Sequence, residues 1–305
     1  MKKELRYRLR PMTMTDILDE TFELYKTNFW LLIGISAVIN IPLTMISGIM
    51  NFSSDFNETI FSTSYATILS ILALPLLTAA LTIGISERYL DREITIADSY
   101  NRILKFNIFI RLLTVTFIKY LFSLLPLSIG FAFLLISIFV SKNVFLIIIS
   151  SVLLLVFIYL SVYLYLKFSL VDPAVVLENK SSLPALKRSW NITKNELGKI
   201  FLVLLIATIL VVFVQSILSS SSILQIGREN ISFSIKFIGI VFSTIGAIIT
   251  TPVLSICVIL LYYDMRIRKE GFDLEMLASM INIKNDSNGI NNKDQGSKIN
   301  PSDKN

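Results

Sequence analysis

Four carboxylates are the side chains best placed by sequence to do chemistry. Asp172 and Glu178 lie in Leu170-Val-Asp-Pro-Ala-Val-Val-Leu-Glu-Asn179, and Asp264 and Glu270 in Tyr262-Tyr-Asp-Met-Arg-Ile-Arg-Lys-Glu-Gly271. Both motifs follow long apolar runs, so the carboxylates fall at a membrane–water interface. Acid–base or covalent catalysis there needs a nucleophile beside a base, and no such pair is visible. The chain contains no histidine, which removes the commonest general base and a common metal ligand. Its one cysteine, Cys257, lies inside an apolar run and can form no intrachain disulfide. The expectation is a protein that is not an enzyme and holds neither cofactor nor metal.

The same motifs carry cations. Arg266, Arg268 and Lys269 can hold lipid phosphates, each worth roughly 1 kcal/mol near an anionic surface. Asp264 and Glu270 are interleaved with them, which predicts ion pairs with neighbouring segments. Tyr262 and Tyr263 sit where an aromatic belt is expected. Asp172-Pro173 should break the preceding helix, leaving Ala174, Val175, Val176 and Leu177 in the interface. A third segment, Ala185-Leu-Lys-Arg-Ser-Trp190, adds Lys187, Arg188 and Trp190. The candidate contacts with lipid or a partner protein are therefore Asp172, Glu178, Lys187, Arg188, Trp190, Asp264, Arg266, Arg268 and Lys269.

A membrane must position these residues. The chain has 305 residues, 54% of them hydrophobic, and about 20 apolar residues cross a bilayer as helix. Six runs qualify: 29–50, 65–85, 112–140, 144–166, 200–218 and 237–262. The first is too long for a signal-peptide core, so an uncleaved span is expected; the third is long enough to tilt. Backbone in lipid must satisfy its own hydrogen bonds, so the fold class is all-α, a polytopic six-helix transmembrane bundle. No run holds Asp or Glu, and Lys119 is the only charge within them. Its stem can snorkel to the headgroups; a substrate-binding role is the alternative. Asn40 and Gln215 are expected to hydrogen-bond between helices. Pro42, Pro75, Pro126 and Pro252 interrupt four runs. Broken helices can frame transport sites, although proline is frequent in ordinary spans. Gly239, Ser243, Gly246 and Thr250 put small residues on one stripe of the sixth run, which lets another helix approach closely, from this chain or from another subunit.

Lys and Arg set the orientation. With the N-terminus inside, 24 basic residues are cytoplasmic and three lie outside, so both termini are expected in the cytoplasm of a cell-membrane protein. Three inner segments share a pattern. Thr13-Met-Thr-Asp16 and Thr95-Ile-Ala-Asp98 fit capping boxes, and Ser182-Leu-Pro-Ala185 opens a third helix, with Pro184 in its first turn. Apolar residues follow at helical spacing: Ile17, Leu18, Phe22, Tyr25 and Phe29 in the first, Ile96, Tyr100 and Ile103 in the second, Leu183, Leu186, Trp190 and Leu197 in the third. The reading is three repeats of an amphipathic surface helix plus a transmembrane hairpin. The first helix carries Asp16, Asp19, Glu20 and Glu23. Anionic lipid repels such a face, so it should pack beside Lys187 and Arg188 or beside Arg266 and Arg268. Residues 1–283 form the membrane domain. Within it 272–283 can form one more amphipathic helix, and 284–305 is a disordered tail.

Arg10-Pro-Met-Thr-Met-Thr-Asp-Ile-Leu-Asp-Glu-Thr-Phe-Glu-Leu-Tyr25, Phe168-Ser-Leu-Val-Asp-Pro-Ala-Val-Val-Leu-Glu178, Ala185–Trp190 and Tyr262-Tyr-Asp-Met-Arg-Ile-Arg-Lys-Glu-Gly-Phe-Asp273 resemble the membrane domain of glycerophosphoryl diester phosphodiesterase, a prokaryotic multi-span family. The resemblance covers about residues 8–280. It implies a membrane module of undefined function, without the soluble barrel that this domain precedes in the proteins naming the family. That barrel needs histidine and carboxylates around a metal, and histidine is absent here. The expected function is a non-catalytic integral membrane module that organises lipid or a partner protein at the cytoplasmic face. The alternative is a transporter or exporter subunit without its own energy-coupling site. Membrane lipids and another membrane or cytoplasmic protein are the expected partners, and nucleic acid is not; the oligomeric state is left open.

Overall fold

The computed structural model describes residues 11–50, 56–104, 106–141, 143–219 and 233–271. The expected helix over 272–283 and the tail over 284–305 lie outside the described residues. The described residues form ten α-helices, in order: α1 Met14–Thr27, α2 Phe29–Met50, α3 Phe56–Tyr89, α4 Ile96–Asn101, α5 Phe106–Ile136, α6 Val144–Lys167, α7 Val171–Glu178, α8 Ser182–Ile192, α9 Leu197–Leu218 and α10 Phe233–Glu270. A π-helical turn, Ser137–Ser141, extends α5. No strand occurs among the described residues. Helices α2, α3, α5, α6, α9 and α10 are long and apolar enough to cross a membrane. The fold is an all-α, six-helix transmembrane bundle.

Two of the three short segments start as their residues dictate. The Thr13 hydroxyl accepts from the Asp16 N–H while the Asp16 carboxylate accepts from the Thr13 N–H, and Thr95 and Asp98 repeat the exchange. The Thr95 hydroxyl and backbone hold the Asp98 carboxyl below the usual carboxylate range. The third differs: α8 starts at Ser182, and its N-cap Ser181 makes no side-chain cap bond. The segments are also unequal. α1 has 14 residues, α4 has six, and the third segment holds both α7 and α8.

The prolines do not break the spans. Pro42, Pro75, Pro126 and Pro252 all lie inside continuous helices. Neighbouring helices, hydroxyls and local adjustments of the helix make proline tolerable in a membrane span. Likewise α10 runs eight residues past its apolar stretch and ends only before Gly271, at φ 63°.

Helix α10 is the axis of the bundle, packing on α9, α2, α1, α3, α7 and α8. Against α9 it presents the small-residue stripe. A Cβ on Gly246 would come within 2.7 Å of Gln215 Oε1, Thr250 Oγ1 donates to that oxygen at 3.4 Å, and Gln215 Nε2 donates to the Ser243 carbonyl at 3.4 Å. Gly239 is buried as well. The stripe is thus filled from within the chain. Gln215 makes the interhelical bonds expected of it; Asn40 does not, because its buried Nδ2 has no partner among the described residues.

Helix α1 is not a free surface helix. Ile17, Thr21 and Tyr25 recur every four residues on one face, and their contacts run antiparallel along α10. Met12 N–H donates to Asp264, Thr21 Oγ1 lies 3.4 Å from Cys257 Sγ, and Tyr25 OH donates to the Ile249 carbonyl at 3.0 Å. The expected packing beside the end of the sixth span is met, while α8 is not a principal neighbour of α1. The joining bonds include the Met12 N–H and the Thr21 and Tyr25 hydroxyls. Helix α4 in turn closes on the first hairpin: Ile96 lies against Gly34 with no room for a Cβ, and Tyr100 OH donates to the Ile35 carbonyl at 2.7 Å.

Candidate functional site

The last turns of α10 have two polar sides. Residues two apart on a helix point about 200° apart, and residues four apart share a face. Asp264 and Arg268 therefore form one stripe, and Tyr262, Arg266 and Glu270 another on the opposite side.

On the first side Asp264 is fully buried and saturated. It pairs with Lys199 Nζ from the first turn of α9, accepts the Met12 N–H at 2.7 Å, and takes Arg268 Nε at 3.1 Å on both oxygens. The Met12 carbonyl receives Lys199 Nζ at 2.6 Å and an Arg268 guanidinium nitrogen at 2.6 Å. One carboxylate and two cations clamp the chain entering α1 onto the ends of α9 and α10. A buried carboxylate survives only when its charge and lone pairs are met this fully.

On the second side Glu178, at the end of α7, is the hub. Arg188 of α8 grips it through Nε at 3.1 Å and a terminal nitrogen at 2.8 Å, Lys180 pairs with it at 2.8 Å, and Tyr262 OH donates to it. Arg188 also pairs with Glu270, which Arg266 Nε reaches at 3.4 Å. The ion pairs predicted for Asp264 and Glu270 are present. Tyr262 and Tyr263 are buried and hydrogen-bonded, to Glu178 and at 2.6 Å to Ser86; they form no exposed aromatic belt.

The third pair corrects the reading of Lys119. Its ammonium does not reach for headgroups; it lies 2.7 Å from Asp172 Oδ2 at the start of α7. The interior lysine and the loop carboxylate read as separate features in the sequence, because nothing local tells that α7 folds back against α5. The break between α6 and α7 falls at residues 168–170, and Pro173 sits in the first turn of α7, where its missing N–H costs nothing. Ala174 and Val175 are in the protein core, not in the interface.

These contacts also change the assignments of the C-terminal cations. Arg266, Arg268 and Lys269 all bond to protein; Lys269 Nζ holds the Asn191 carbonyl at 3.2 Å and the Lys194 carbonyl. Lys187 is exposed on α8. Trp190 packs edgewise on Tyr163 and beside Phe168, with ring centroids 6.2 and 5.7 Å away. Sequence reasoning missed Lys199, the Met12 backbone and Lys167, whose ammonium lies 5.1 Å from the Trp190 ring centroid. Lys199 and Lys167 could have been found as the basic residues directly flanking spans five and four; Met12 carries no sequence signal.

The chain belongs to a family described as a domain of unknown function (DUF7847). The family model matches residues 30–264, from α2 to the buried aspartate of α10. Lys119, Asp172, Glu178, Arg188, Lys199 and Tyr262 fall within that match, whereas α1 and Arg266–Glu270 fall outside it. No curated protein and no solved structure matches the chain.

Proposed function

We propose that the chain is a non-catalytic integral membrane module that organises lipid or a partner protein, with its basic end and both termini on the cytoplasmic side of a cell membrane. The observation that carries this is the state of the four candidate carboxylates. Asp172, Glu178, Asp264 and Glu270 are each paired with at least one cation. A carboxylate held charged by a neighbouring cation is a poor proton acceptor, and among the described residues the one hydroxyl bonded to any of the four, that of Tyr262, is buried with its ring and fixed as a donor to Glu178. Their work is to lock α1, α7, α8, α9 and α10 into a fixed cap. A fixed basic surface suits recognition of a headgroup or a protein face. The motif resemblance to a membrane domain of undefined function supports the same reading. The transporter alternative has less behind it, since the four prolines leave their helices unbroken.

The test is extraction of the full-length protein from its membrane into copolymer-bounded lipid discs, with the disc lipids compared with the bulk extract. Enrichment of anionic lipid, or a retained stoichiometric partner, is expected, together with no substrate-dependent flux in proteoliposomes. Bulk composition with no partner, or flux, would overturn the reading. Orientation is checked separately in a Cys257→Ser background: a cysteine at Ser181 should resist an impermeant thiol reagent added outside intact cells.

A further inference from the structure

One cation at the basic end is buried without a counter-charge. Lys167 ends α6 and is 4% exposed, yet among the described residues its ammonium makes no ion pair and no hydrogen bond. It lies 5.7 Å from the ring centroid of Tyr163 and 5.1 Å from that of Trp190. All three line an open cleft of about 540 Å³, together with Asn191, Lys194, Asn195 and Gly198. That volume is within the ordinary range for small-ligand sites, about 300–1,000 Å³. No carboxylate lines it.

The remaining wall adds to the positive potential. Asn195 turns the chain at φ 68° into the start of α9. The N-cap of that 22-residue helix, Glu196, makes no side-chain cap bond. Its first-turn N–H groups have no intrahelical acceptor, and the helix dipole is positive there. Lys269 holds the Asn191 and Lys194 carbonyls, and the Glu196 carboxylate, which does not line the cleft, is set against that ammonium. A Cβ on Gly198 would meet nothing within 4 Å, so the cleft is open at the helix start itself. An ammonium with no counter-ion among the described residues, a second lysine, two carboxamides and a helix N-terminus converge on one volume. That is the donor set for a phosphate oxyanion, and the Tyr163 and Trp190 rings are suited to the membrane–water boundary.

We propose that this cleft binds a phosphate-bearing anion, seated between Lys167 and Lys194 with its oxygens toward the opening turn of α9. The phosphate comes either from an anionic glycerophospholipid or from a free phosphate or phosphomonoester. The lipid case deepens the module reading above and rests on it.

The test uses the full-length chain in neutral maltoside detergent with Trp30→Phe, which leaves Trp190 as the only tryptophan. Its fluorescence is followed while short-chain phosphatidylglycerol, short-chain phosphatidylcholine or inorganic phosphate is added. A saturable change with phosphatidylglycerol, and a weaker one or none with phosphatidylcholine, is expected. Saturation by inorganic phosphate at a similar midpoint assigns the free anion as the source; its failure assigns the lipid. Lys194→Gln and Gly198→Leu should each raise the midpoint about tenfold. Neither residue is buried, so both variants should melt like the parent; Lys167→Gln is the confirming change. No saturable response to either anion, equal midpoints for the two lipids, or unchanged midpoints in both variants would overturn the site. If the cleft fails while lipid discs remain enriched in anionic lipid, the module reading survives. If the cleft binds inorganic phosphate while disc lipids match bulk and no partner is retained, the site survives and the module reading falls.

Discussion

Helices α10 and α6 both cross the membrane, yet they belong to different environments. In the most apolar stretch of α10, 61% of residues are buried inside the protein, against 11% in α6. Helix α6 packs mainly on its hairpin partner α5, with little more than α9 beside it. It carries long aliphatic and aromatic side chains around most of its surface: Val152, Leu155, Val156 and Tyr159 are all exposed. Helix α10 instead carries Gly246, Thr250, Cys257 and Asp264 among its apolar residues, and all but the glycine are hydrogen-bonded to side chains of α1 or α9. The more uniformly apolar helix is therefore the outer one. Lipid tails are as apolar as leucine, so hydrophobicity gives a span no reason to turn inward. Small residues, hydroxyls and paired charges do.

The sharpest test of this comparison is Asp264→Ala. The substitution leaves Lys199 and Arg268 facing each other around a buried void, and it frees the Met12 N–H. Breaking a buried pair from one side costs about 3–5 kcal/mol, and here two cations lose their counter-ion together. Unfolding in mixed micelles should shift by that amount, and α1 should become open to proteolysis before the spans do. A shift below about 1 kcal/mol would mean that α10 is not the axis of the bundle.

The outer parts of this picture were readable from residues. Run length located six spans, capping boxes located the starts of α1 and α4, and interleaved charge in the 262–271 motif announced ion pairs. What the pattern could not supply was partnership between distant segments. Asp172 and Glu178 read as interface carboxylates because each is local to its motif; only the fold brings Lys119 and Arg188 to them. Lys119 reads as a snorkelling lysine because a long stem near a span end has that solution available without a partner. Asp264 is half-readable: its sign points to a cation, but the cation arrives from α9 and the backbone from residue 12. The three short segments are alike in order and unlike in length and packing, so the repeat is visible in the string of elements and weak in the contacts.

A second test concerns how the outer hairpin is tied to the inner helices. Lys119 on α5 and Asp172 on α7 join the α5–α6 hairpin to the body at 2.7 Å, with side chains 10% and 15% exposed. Lys119→Met strands the carboxylate and should cost roughly 2–4 kcal/mol, less than Asp264→Ala because some solvent reaches Asp172. Adding Asp172→Asn should recover most of the loss, since removing both charges of a buried pair is close to neutral. Recovery in the double variant identifies a pair; additive losses would mean that Lys119 acts elsewhere.

The smallest expected effect is the one that bears most directly on the oligomeric state. Leu260 of α10 is fully buried, and Leu155 of α6 is 65% exposed. Leu260→Ala removes packed atoms and leaves a cavity, which should cost about 2–5 kcal/mol. Leu155→Ala removes atoms that face lipid in a monomer. Acyl chains close over the smaller side chain, no cavity forms, and the folded state should lose no more than about 0.5 kcal/mol. The two variants thus measure burial at two depths of the same bundle by the same chemistry, through their unfolding midpoints in mixed micelles. If Leu155→Ala costs as much as Leu260→Ala, the exposed face of α6 is packed against protein in the membrane. The loss should then grow with protein-to-detergent ratio, as it must when the missing contact lies between chains. If the loss is small and independent of that ratio, the face of α6 meets lipid alone.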